Sequence, residues 1–303
     1  MPIHDQSYRH WEGEFKSHVF RWWVVTREGL RIILRQKLLL LFILGPPAIH
    51  VFVTGAIIYG VNVLENLPKM PNLKIANPKF FFDFFIRQVF FITPICVFGG
   101  SGLIANDLKS NALQLYLSKP LTRVDYLVGK LAIIMVLMGF LTVVPGFLLF
   151  IENAVLSKGL TFLKEGYWIL GSIVLYSFVL TLPTGLLILA LSSATRSNRY
   201  AAVSFIATLI GTSAFSEMLE EILKLKIAIL TGTSVFSEIL GKILNSESAV
   251  FISYLSDLKI LGERLFGLST HQHWYWAMFI ILGIIGLCIC IMYRRVKGVE
   301  IVK

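Results

Sequence analysis

Long apolar runs, most of about twenty residues, dominate this chain and leave it little choice of fold. Such a run, wound as an α-helix at about 1.5 Å per residue, crosses a hydrocarbon layer of about 30 Å. Barrel strands would be shorter and would alternate apolar with polar residues. Six spans are read: 38–61, one that begins within 80–91 and ends at 105, 131–151, 167–191, 201–215 and 274–292. The fifth is short for a full crossing. Only 15% of the 303 residues are charged, against about 25% in soluble domains. The expected fold is an all-α polytopic membrane protein with six transmembrane helices, preceded by an interfacial amphipathic helix. Extracytoplasmic amphipathic or re-entrant helices are expected between spans five and six.

The basic residues set the orientation. Seventeen Lys and Arg fall in 1–40, 106–130, 192–200 and 293–303, and ten in 62–81, 153–166 and 216–273. The two groups of segments are of similar total length, so the bias places both termini in the cytoplasm of a multi-pass protein of the cell (inner) membrane. The net charge of +10 flanks the spans and forms no stripe interleaved with aromatics, so no nucleic-acid partner is expected. The first 37 residues show no short apolar core before a small-residue site, so no cleavable leader is expected. The chain divides into a cytoplasmic N-terminus with the interfacial helix (1–37), the transmembrane domain (38–293) and a cytoplasmic tail (294–303).

Within 14–37 the pattern is amphipathic. Trp23, Leu30, Ile33 and Leu34 fall near one face, and Arg27, Arg31 and Arg35 line another. With Trp22, this segment is expected to lie at the lipid headgroups, its arginines near the phosphates. Gly45-Pro46-Pro47 is expected to break or kink the first span, and Pro183 to kink the fourth. Gly99-Gly100-Ser101-Gly102 is expected to be a flexible point in the second. Asp83 and Arg87 stand four apart at the rim of that span, the spacing of an ion pair on one helix face. Residues 216–273 are too polar to cross but periodic, with amphipathic pieces at about 235–244 and 250–265. They are read as surface or re-entrant helices that cap the spans.

The longest polar interruption on the basic side is 106–130, NDLKSNALQLYLSKPLTRVDYLVGK. Its middle, 111–117, has room for two helical turns with Leu113 and Leu117 on one face. Lys119-Pro120 ends them. A new helix can begin near Thr122, with Thr122 as N-cap and Asp125 in the capping-box position.

Several chemistries are missing. No Gly-x-x-x-x-Gly-Lys-Ser/Thr occurs: Gly129-Lys130 is followed by Leu131, and Gly241-Lys242 by Ile243. The chain thus lacks that route to nucleotide hydrolysis and is read as a non-enzyme. His271 and His273 lack a third ligand nearby, so no metal site is expected. Cys96, Cys288 and Cys290 all lie in apolar runs and read as small hydrophobes. Mid-span ionisable groups are few, which disfavours a proton relay or ion filter.

The layout resembles the permease subunits of ABC transporters of the type-2 export class. In that family the loop after the second span carries Asp, a Gly four residues on, a Leu-rich helix, then Pro, Arg, Tyr and Gly-Lys. Here stand Asp107, Asn111, Leu113, Leu117, Pro120, Arg123, Tyr126, Gly129 and Lys130. Asn111 replaces the glycine, and Asn is the next most tolerant residue for a left-handed turn. The resemblance implies an ATP-driven exporter whose permease pairs with a second copy, in a homodimer or heterodimer, within the bilayer. It also implies a separate ABC ATPase subunit that holds the ATP and Mg, with no cofactor in this chain. Coupling to that ATPase would run through Asn106, Asp107, Lys109, Asn111, Leu113, Leu117, Pro120 and Arg123. The rival readings are a non-transporting membrane scaffold or sensor and, less favoured, a secondary transporter, for which no internal repeat is seen.

Overall fold

The computed structural model describes residues 20–35, 37–65, 77–117, 121–156, 160–230, 253–268 and 274–296. Among these, every regular element is helical. The helices are α1 (Arg21–Leu34), α2 (Lys37–Glu65), α3 (Pro78–Pro94), a π-helix (Ile95–Gly100), α4 (Gly102–Lys109) and α5 (Ala112–Leu117). They continue with α6 (Arg123–Leu156), α7 (Leu160–Ala194), α8 (Asn198–Leu230), α9 (Tyr254–Leu265) and α10 (Trp274–Arg295). Six segments among the described residues are long and apolar enough to cross a membrane. They are Leu44–Val63, Pro78–Lys109, Arg123–Leu156, Gly166–Ala194, Asn198–Leu219 and Trp274–Arg295.

The fourth span, in α7, is the centre of the bundle. Its window is 67% buried, against 22%, 17% and 22% for the first, fifth and sixth. Helices α6 and α10 pack along it, and α1 and α2 pack on α6. Span two lines its inner face with Phe81, Phe82, Phe84, Phe85, Gln88 and Ile92, three- and four-residue steps that keep one stripe inward. Gln88 is fully buried there and is satisfied: its Nε2 donates to the Leu141 carbonyl at 2.7 Å, and its Oε1 lies 3.1 Å from His50 Nδ1.

Several expectations change. Pro46 and Pro47 lie inside α2 and do not break it; Pro183 likewise lies inside α7. The glycine-rich point in span two is the π-helix, which ends where the Ser101 N–H donates to the Cys96 carbonyl, five residues back. Ser192 of α7 bridges this join: its Oγ accepts from the Ile104 and Ala105 N–H groups at 3.1 and 2.9 Å and donates to the Ser101 carbonyl at 2.7 Å.

The fifth span is Asn198–Leu219, and its helix α8 continues past it to Leu230. Glu217 and Glu221 therefore extend that helix and do not open a separate one. The piece expected at 235–244 lies outside the described residues. The piece expected at 250–265 is α9, and it does not merely lie over the bundle. Tyr254, at its start, has its hydroxyl 2.7 Å from Thr184 Oγ1, and Thr184 is ten residues from the Ala194 end of α7. At its other end the Leu265 carbonyl accepts from Ser172 Oγ at 2.7 Å. So α9 lies alongside α7, buried by Tyr254, Leu258, Ile260 and Leu261. Gly262 allows the close approach, since a Cβ there would meet the Tyr176 ring at 2.5 Å and Phe82 at 2.6 Å. Gly267, at φ 67°, ends the helix in the left-handed turn, and Leu268 N–H reaches back to the Glu263 carbonyl.

Candidate functional site: the loop between spans two and three

Little of this segment is loop. Asn106, Asp107 and Lys109 are the last turn of α4 and so belong to the helix of span two. The chain then reverses at Ser110-Asn111. Ser110 Oγ donates to the Asn106 carbonyl at 2.8 Å, and Asn111 stands at φ 53°, in the left-handed region. Side chains other than Gly rarely sit there, and Asn is among the few that do. That one residue turns α5 away from the axis of α4. The next helix opens as expected: Thr122 Oγ1 accepts from the Asp125 N–H at 3.1 Å, and Asp125 Oδ2 accepts from the Thr122 N–H at 3.1 Å. This is a reciprocal capping box, and α6 starts at Arg123.

A three-residue lock joins the two sides. Lys130 Nζ lies 2.7 Å from Asp107 Oδ2. The Tyr126 hydroxyl donates to the same oxygen at 2.7 Å. Tyr126 is four residues before Lys130, so one face of α6 presents both donors to the end of α4. The Lys130 ammonium also lies 5.7 and 5.4 Å from the Tyr116 and Tyr126 ring centroids. Those rings sit 5.5 Å apart. Burial, and then the Asp107 carboxylate, hold the Tyr116 phenol above its ordinary range. Tyr116 thus ties α5 to the same lock as α4 and α6.

The expected contact residues separate on this frame. Asn106, Lys109 and Asn111 are exposed and Arg123 is half-buried. Asp107 is turned into the lock. Leu113 is 6% exposed and packs into this chain's own core. Leu113 therefore helps fix α5 to the bundle. Pro120 and the Leu117 side chain lie outside the described residues.

Gly129, next to Lys130, is the seat of α1. A Cβ on Gly129 would come within 2.8 Å of the Trp22 carbonyl and of Val25. Thr26 Oγ1 donates to the Gly129 carbonyl at 3.1 Å. One turn on, Gly29 of α1 faces Ile133. Gly129 and Lys130 thus have two structural uses: the glycine receives α1 and the lysine holds the loop. Trp22 is half-buried, while Trp23, Arg27, Arg31 and Arg35 are exposed. Val25, Thr26 and Ile33 form the buried side.

The rim pair does not form. Lys130–Asp107 and Arg31–Glu28 do form ion pairs. Asp83 is half-buried and Arg87 exposed, and helical spacing permits such a pair without enforcing it. An exposed pair gains little beyond the entropy lost in holding both side chains. Local spacing alone does not specify the lock at Lys130. Its signal is present in Tyr126 and Lys130 spaced four apart, but their common acceptor lies nineteen residues back from Tyr126.

Over residues 31–291 the chain matches the family described as ABC-2 family transporter protein. No curated protein matches it. The match covers most of the chain and joins a bundle with six helices able to span and a locked loop between the second and third. The chain belongs to the ABC-2 transporter family, as a membrane-embedded permease subunit of an ABC transporter.

Proposed function

We propose that this protein is the permease subunit of an ATP-driven exporter and receives mechanical work from a separate ATPase subunit through the α4–α5 turn. The observation that carries this reading is the Asp107–Tyr126–Lys130 lock. It binds the ends of spans two and three into one unit and leaves Asn106, Lys109 and Asn111 outward. A push on that turn moves both spans together. ATP and Mg bind on the ATPase, whose two nucleotide states bias the two arrangements of the permease. The turn and both termini face the cytoplasm, following the Lys/Arg bias. Two permease copies, the same or sister chains, enclose the pathway in the inner membrane.

The test uses the complex purified from its native membrane. A cysteine at Lys109 should cross-link to the co-purified ATPase, and Lys109→Glu should reduce the ATPase rate of the complex without loss of assembled permease. A complex that contains no ATPase, or a position 109 that labels only from the far side of the membrane, overturns the reading.

A further inference from the structure

Helix α1 carries two strips side by side on the surface that faces away from the bundle. A groove of about 370 Å³ runs along them, lined by Trp23, Arg27, Leu30, Arg31, Leu34 and Arg35. Leu30, Trp23 and Leu34 form its apolar floor, and the three arginines follow one another at successive turns along its edge. The opposite side of α1 is fixed by the Thr26–Gly129 hydrogen bond and the close Gly29–Ile133 and Gly129–Val25 contacts. The helix cannot roll to bury the groove without breaking that seat. Arg31 lies 2.9 Å from Glu28, both side chains about half exposed. Arg27 and Arg35 have no carboxylate within ion-pair distance among the described residues.

We propose that this groove binds an anionic phospholipid, with the phosphate on the arginines and the glycerol and upper acyl chain on Leu30, Trp23 and Leu34. Guanidinium groups suit phosphate because they donate in a bidentate fork. Arginines four residues apart sit about 6 Å apart along the axis, close enough to share one headgroup. A zwitterionic lipid covers the floor but leaves the surplus positive charge unanswered. An acidic protein surface answers the charge but does not suit Trp23 and Leu34, which are 48% and 51% exposed. Because α1 sits on Gly129, next to Lys130, the lipid also steadies the helix against which the loop lock is built. That last clause rests on the function proposed above; lipid binding itself does not.

The test uses the full chain in nanodiscs, without any ATPase, and reads tryptophan quenching by brominated lipid. The signal of Trp23 is the difference between wild type and Trp23→Phe. Dibrominated phosphatidylglycerol, as a minor component in phosphatidylcholine, should quench this signal well beyond the same fraction of dibrominated phosphatidylcholine. Each of Arg27→Gln and Arg35→Gln should lower that preference by roughly fivefold. Arg→Lys changes at the same positions should keep most of it and guard against misfolding of the Gln variants. Equal quenching by the two lipids, or a preference unchanged in the Gln variants, overturns the proposal. So does full displacement by soluble glycerol phosphate, which would mark a site for free phosphate. If quenching is unchanged in the Gln variants while, in a separate preparation of the complex, they no longer retain the ATPase, the face is assigned to a protein partner instead.

Discussion

The Lys130 side chain is only 8% exposed, and its Nζ lies 2.7 Å from Asp107 Oδ2. Removal of one partner strands the other, and a stranded buried charge is the expensive outcome. Asp107→Asn leaves the ammonium with two aromatic faces and a neutral amide, and it should cost about 1–3 kcal/mol. Lys130→Met should cost less, because Asp107 retains the Tyr126 hydroxyl. The double variant should recover part of the Asp107→Asn loss. Thermal unfolding of the solubilised protein checks this, and strictly additive losses would mean the pair does not interact. A second acid raises a question of pH. Asp257, in α9, is fully buried, and neither of its carboxylate oxygens has a hydrogen-bond partner among the described residues. Burial pushes its carboxyl up to about 8. The unfolded chain releases that proton near its ordinary value of about 3.9. Between about pH 4 and 8 the folded state therefore holds the extra proton, so stability falls as pH rises through that window and levels off above it. Melting temperatures across the window should fall less steeply for Asp257→Asn than for wild type. Parallel profiles would refute this account.

At the scale of elements, the second span is three pieces joined end to end: α3, the π-helix and α4. The join is held from outside by Ser192, whose hydroxyl serves two N–H groups and one carbonyl. Gly100, in the π-helix, packs 3.0 Å from Ile188 at its would-be Cβ, so the join also lies tight against α7. Ser192→Ala removes the side-chain oxygen that accepts from the Ile104 and Ala105 N–H groups and should loosen α4 more than its neighbours. Hydrogen exchange should quicken in 102–109 while α6 and α7 keep their protection, and Ser192→Thr should restore the slow rates. Uniform quickening across the bundle would instead mark a global loss of stability.

Across the whole molecule, burial grades from the centre outward. Helix α7 is enclosed, while α2, α8 and α10 bury under a quarter of their span windows. Phe52 on α2, Val203 on α8 and Leu287 on α10 are 78%, 64% and 60% exposed. Apolar surface of this kind suits lipid as well as protein, so exposure alone does not choose a dimer face. A second permease copy, if it packs here, must cover one of these three helices. Single cysteines at the three positions should give a cross-linked dimer at one and lipid-accessible labelling at the others. Labelling at all three with no dimer would remove the paired-permease part of the proposed function.

The sequence by itself determined the number of crossings and the place of the loop, because a lipid phase permits few answers to a long apolar run. It also determined features decided by near neighbours in the chain: the Thr122–Asp125 capping box, the Asn111 turn and the amphipathic course of α1. Tertiary structure decided what depends on residues far apart. It brought Ser192 to a helix start some ninety residues away, placed α9 beside α7, turned Leu113 inward and left Asp83 and Arg87 unpaired. Two residues four apart read as partners on any helix, but only packing settles which of their neighbours they meet. Periodicity reports which face is apolar and is silent on what that face touches, so the lock of Asp107, Tyr126 and Lys130 existed only once two spans were set side by side.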